Sequence, residues 1–171
     1  GCLAVVVKDK RDHALELHRP LAAGATDSAD NIIAIPLKDV SRPPQSMLST
    51  DADQDGRADI LLFTPNEPMI MLRAVGDVSA SDADAAKSIE VLTDKQMQQF
   101  GLVQAAGPDN TILFDIDGDG KNELLIASEN FVRACRYDTT KGWTVVEQIT
   151  IKDSGITVSY THLRAHETLR Y

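Results

Sequence analysis

The sequence predicts an all-β chain, a partial β-propeller of four-stranded blades holding about two and a half of them. Three observations predict it. A nine-residue acidic motif occurs twice, as Asp51-Ala52-Asp53-Gln54-Asp55-Gly56-Arg57-Ala58-Asp59 and as Asp115-Ile116-Asp117-Gly118-Asp119-Gly120-Lys121-Asn122-Glu123. The two occurrences start 64 positions apart, a fixed spacing that marks repeat architecture. Each runs directly into an apolar, β-favouring segment, Ile60-Leu61-Leu62-Phe63 and Leu124-Leu125-Ile126-Ala127.

The elements follow in chain order. Residues 1–44 read as a partial blade without an acidic loop: Leu3-Ala4-Val5-Val6-Val7 is a strand, 8–12 a charged turn and Ala14-Leu15-Glu16-Leu17-His18 a second strand. Residues 45–93 read as a full blade, with strands at 45–50, 59–64, 69–75 and 88–93. Residues 94–109 read as a helical insertion between blades. Its helix starts at the capping box of Thr93 and Gln96 and stops at Gly101. Residues 110–157 read as another full blade, with strands at 110–114, 123–128, 131–137 and 143–151. The strand after each acidic loop is apolar throughout, as expected of a strand covered on both faces. The last strand alternates apolar and polar residues and reads as an outer one. The segment 158–171 matches no repeat and reads as translated sequencing adapter, so the pair His162 and His166 is not taken as a zinc site.

The motif carries its own chemistry. Four carboxylates in nine residues repel one another unless a cation sits among them. Acids at positions 1, 3 and 5 of a curling loop can converge on one point, and position 9 can close the shell. Gly56 and Gly120, at position 6, allow the sharp turn. Position 7, Arg57 or Lys121, offers its backbone carbonyl. Such hard oxygen donors suit Ca²⁺. An EF-hand is excluded, because its position 12 must be a bidentate Glu followed by a helix, whereas Leu62 and Ile126 stand there within strand-like runs.

The two loops with their following strands, and Phe114 before the second, resemble the FG-GAP repeat of integrin-alpha-like propellers and the related bacterial VCBS-type repeats. The resemblance covers 45–152 and extends weakly to 2–36, where Cys2 occupies the last ligand position. Phe63-Thr64-Pro65 and Ala127-Ser128-Glu129 stand where that repeat has Gly-Ala-Pro, which favours a divergent bacterial relative. By resemblance, Asp51, Asp53, Asp55 and Asp59 hold one Ca²⁺ with the carbonyl of Arg57. Asp115, Asp117, Asp119 and Glu123 hold another with the carbonyl of Lys121. Such ions are mainly structural, and the propeller then serves as a binding platform.

Composition narrows the function classes. The formal net charge is −9, and without the eight loop carboxylates it is −1, so the acidity belongs to the loops. No basic patch suggests nucleic acid, and no apolar run reaches membrane-span length. Cys2 and Cys135 are expected as buried, unpaired thiols. Weak carboxylate sites fill where Ca²⁺ is abundant, which points to an extracellular, cell-surface or periplasmic protein. Residues 1–157 offer no Ser/His/Asp set, no Cys/His pair and no acid pair outside the loops. The expected function is a non-catalytic binding or adhesion platform for a protein or carbohydrate. The alternative is an accessory or catalytic propeller of a secreted enzyme such as a polysaccharide lyase.

Overall fold

Three antiparallel sheets form where the chain alternates or runs apolar. In the computed structural model, residues 3–9, 12–19, 31–37, 40, 42–76 and 86–151 are described. Sheet one pairs β1 (Leu3–Asp9), β2 (Asp12–His18) and β3 (Ile32–Leu37) in that order. Sheet two runs β4 (Ser46–Thr50), β5 (Asp59–Phe63), β6 (Ile70–Ala74) and β7 (Ile89–Leu92). Sheet three runs β8 (Thr111–Phe114), β9 (Glu123–Ser128), β10 (Phe131–Asp138) and β11 (Gly142–Thr150). Each sheet is a simple meander, and the eight strands of sheets two and three coincide with those expected, within a residue or two at each end. The segment 158–171 and Cys2 lie outside the described residues.

Register explains how the acidic loops are held. Thr50 pairs with Asp59, and Phe114 pairs with Glu123. Each loop therefore closes a hairpin between the first two strands of its sheet, with its last acid already on the second strand.

Two apolar cores lie against sheet two, one on each face. Leu61, Phe63, Met71 and Leu92 pack with Leu124, Ile126, Cys135, Tyr137 and Trp143 of sheet three. Leu62, Ile70 and Leu72 pack with Leu15, Leu17, Ile33 and Ile35 of sheet one. Side chains alternate across a strand, so a strand between two cores must be apolar at every position. This is why Ile60-Leu61-Leu62-Phe63 shows no alternation. Burial of each such side chain stabilises the fold by about 1.5–3 kcal/mol. β11 lies at the edge of its sheet, the outer position expected of it. Cys135 is a free buried thiol, and burial pushes it up to about 11.

β3 was not separable from its surroundings in the sequence. Pro36 cannot donate to a ladder and argues against a central strand. The structure resolves the conflict by placing β3 at the edge of sheet one, paired with β2 alone, with Ile33, Ile35 and Leu37 buried in alternation.

The insertion 94–109 differs from expectation. It forms successive turns and one 3-10 turn, Phe100–Leu102, instead of an α-helix. Half of the capping box is present, since Gln96 Oε1 accepts a bond from Thr93 N at 2.9 Å. The helix fails at Gln99, whose φ of 56° breaks the right-handed path, and Gly101 falls inside the 3-10 turn. Packing supplies the reason. Met97 and Val103 both reach the core with Trp143, and a regular helix would point them about 120° apart.

Gly142 ties this insertion to sheet three. Its φ is +77°, and a Cβ there would lie 2.1 Å from the Gln98 carbonyl oxygen. That carbonyl accepts the Trp143 N–H at 3.1 Å, so the close approach is built in. Gly142→Ala is expected to destabilise by about 3 kcal/mol in urea unfolding, through strain and displacement of Gln98. Gly56→Ala meets nothing within 4 Å and carries only the φ strain, so about 1 kcal/mol is expected.

Candidate metal centre

Both acidic loops fold on one frame of side chain to backbone hydrogen bonds. Asp51 Oδ2 accepts from Gly56 N at 2.9 Å, and Asp115 Oδ2 accepts from Gly120 N at 2.9 Å. Asp53 Oδ1 accepts from Asp55 N at 3.3 Å, and Asp117 Oδ1 from Asp119 N at 3.2 Å. Asp55 Oδ1 accepts from Arg57 N at 2.8 Å, and Asp119 Oδ1 from Lys121 N at 2.9 Å. The last acid reaches back to position 2: Ala52 N donates to Asp59 Oδ2 at 2.9 Å, and Ile116 N to Glu123 Oε2 at 3.1 Å. Gly56 and Gly120 take φ of 88° and 87°, the left-handed turn at position 6.

This frame gathers acids. Carboxylate oxygens of Asp51, Asp53 and Asp59 lie within 4.8 Å of one another, and so do those of Asp115, Asp117 and Glu123. These are positions 1, 3 and 9 of each motif. The side chains at positions 5 and 7 make further contacts. Asp55 is drawn into an ion pair with the Arg57 guanidinium, whose Nε also donates to Ala74 O at 3.0 Å. Asp119 Oδ2 accepts from Arg136 at 3.3 Å. Lys121 Nζ reaches Gln54 O at 3.4 Å. The donor set is three carboxylates with no His or Cys, and hard oxygens of this kind fit a divalent cation such as Ca²⁺.

The two loops touch. Gln54 Nε2 donates to Glu123 Oε1 at 3.2 Å, and Tyr137 N donates to Ala52 O at 3.0 Å. Loop one thus docks on β10 of sheet three, beside loop two. Sequence reading missed Gln54, Arg73 and Arg136. The strand 131–137 carries two arginines, Arg133 and Arg136, and nothing in the sequence says which one meets the loop. Strand pairing decides it: Leu124 faces Cys135, so Arg136 comes across from Glu123.

Comparison with known proteins gives no matching family model, no matching curated protein and no matching solved structure.

Burial sets the electrostatics. Asp59 is 1% exposed, and desolvation pushes its carboxyl up to about 6, against the bonds from Ala74 N and Ala52 N. Asp53 is also raised, first by burial and then by the Asp55 charge. Without a cation, folded Asp59 keeps a proton that the unfolded chain releases. Its stabilising contribution is complete below the ordinary value of 3.8 and is lost as pH rises through about 6. In metal-free buffer, lowering the pH from 7 to 5 should therefore raise the melting temperature of the parent chain more than that of Asp59→Asn. With calcium present the proton competes with the ion, so calcium affinity should fall over the same window. Equal pH responses of parent and Asp59→Asn in metal-free buffer would contradict the assignment.

Proposed function

We propose that this chain is a calcium-stabilised repeat module of the FG-GAP/VCBS type, part of a β-propeller that serves as an extracellular binding or adhesion platform for a protein or carbohydrate. One observation carries the reading. Two loops far apart in sequence converge acids from the same three motif positions, within the same hydrogen-bond frame, at the entry to the second strand of a four-stranded sheet. A solvated acidic turn has no reason to reproduce that frame twice. Face-to-face packing of successive meanders, with apolar middle strands, also supports a propeller. An ion in each loop would screen the mutual repulsion of the acids, including the buried Asp59 and Glu123. Among the described residues, no helix is long and apolar enough to cross a membrane.

Calorimetric titration of the 171-residue chain tests this reading. Two calcium ions should bind, with Asp51→Asn and Asp115→Asn each losing one. Unchanged stoichiometry in both variants would refute the loops as calcium sites.

A further inference from the structure

The two loops share a backbone frame, but the arginines beside them do not sit alike. In loop two, Arg136 Nη2 lies 2.6 Å from Glu123 Oε1, 3.1 Å from Asp117 Oδ2 and 3.3 Å from Asp119 Oδ2. Asp117 and Glu123 belong to the trio whose oxygens converge. One positively charged nitrogen therefore stands among the acids that would hold an ion. Loop one has an arginine in the equivalent place, since the register that pairs Ile60 with Leu72 brings Arg73 across from Asp59. Arg73 is nevertheless drawn away: its Nη2 lies 2.8 Å from Glu90 Oε2, and its Nη1 approaches Asp53 Oδ2 only to 3.6 Å.

The cause is one residue on the next strand. β7 places Glu90 opposite Arg73, whereas β11 places Thr144 opposite Arg136. Thr144 spends its hydroxyl on the Arg136 backbone carbonyl, at 3.1 Å, and offers no charge to hold the guanidinium. Arg136 therefore turns to the loop. The Nε of each of these arginines, Arg73 and Arg136, is buried without a hydrogen-bond partner.

Resting on the calcium reading above, we infer that Arg136 is a built-in competitor for the cation of loop two, so that loop one fills first and loop two fills only as Arg136 withdraws. A guanidinium stays charged at any ordinary pH and cannot make room by losing a proton. Two cations a few ångströms apart among the same carboxylates repel strongly, so one must leave. Glu123, fully buried at its side chain, needs a positive partner in either state, and Arg136 supplies it when no ion is bound. The arrangement makes loop two a graded calcium site beside a constitutive one.

The test is calcium titration of the 171-residue chain and its variants. The parent should show two unequal steps, with Asp51→Asn deleting the tighter and Asp115→Asn the weaker. Arg136→Gln should tighten the weaker step by about tenfold, the scale of one partly exposed charge contact, and leave the tighter step unchanged. Glu90→Gln, an exposed substitution, should weaken the tighter step by releasing Arg73 towards Asp53. It keeps the idea testable if Arg136→Gln does not fold. Two equal steps in the parent, or a weaker step unmoved by Arg136→Gln, would overturn the inference while leaving the calcium reading intact. Absence of calcium binding by the parent and all variants would overturn both.

Discussion

Transfer of the chain from millimolar calcium to a chelator should lower its melting temperature by many degrees. An ion that binds only the folded state stabilises it by mass action, about 4 kcal/mol per site when its concentration is a thousand times the dissociation constant. The structural reason lies in the burial of Asp59 and Glu123, each 1% exposed. Both are pinned by position 2 N–H bonds and cannot swing out to water without breaking the loop. Asp59 also accepts from Ala74 N at 2.9 Å, which joins the loop to the end of β6. Loss of the ion should therefore loosen β6 as well as the loop. Thermal melts by circular dichroism check this, with magnesium as a control for hard-cation selectivity. A midpoint that does not depend on calcium would refute a structural role.

Trp143→Ala should cost about 3–5 kcal/mol, the range for deleting a large buried aromatic. Trp143 is 1% exposed and joins three parts of the fold. Its ring meets Tyr137 edge-on, with centroids 5.3 Å apart and planes at 69°. Its Nε1 points to Met97 Sδ at 3.4 Å, and its backbone N–H holds Gln98. Removal of the indole opens the core shared by sheets two and three and frees the 94–109 turns together. Urea unfolding followed by circular dichroism would measure it. A loss under 1 kcal/mol would mean that the sheets do not depend on this contact.

The acidic loops and the strands after them were legible because each is a local pattern. Ligand spacing, the position 6 glycine and an apolar run all lie within a dozen residues. The predicted helix at 93–101 failed for the opposite reason. Its capping signal is local and half of it forms, but the burial of Met97 and Val103 against Trp143 overrides the helical period. β3 was obscured by Pro36, whose tolerance depends on the strand being at an edge. Asp55 and Asp119 were grouped with the other acids by spacing alone. Asp55 pairs with Arg57, and Asp119 shares Arg136 with Asp117 and Glu123, contacts that spacing does not reveal.

By itself the sequence determined the all-β class and the two hairpins closed by acidic loops, since these follow from chemistry within one loop and one strand; it grouped the acids of positions 1, 3, 5 and 9, of which those at 1, 3 and 9 have oxygens within 4.8 Å of one another. Only the tertiary structure decided that the loops lie side by side through Gln54 and Glu123, that sheet two is covered on both faces, and that Arg136 rather than Arg133 enters loop two. Each of these depends on strand register and sheet packing. A shift of one residue in register exchanges the two faces of a strand, and no local pattern carries that information.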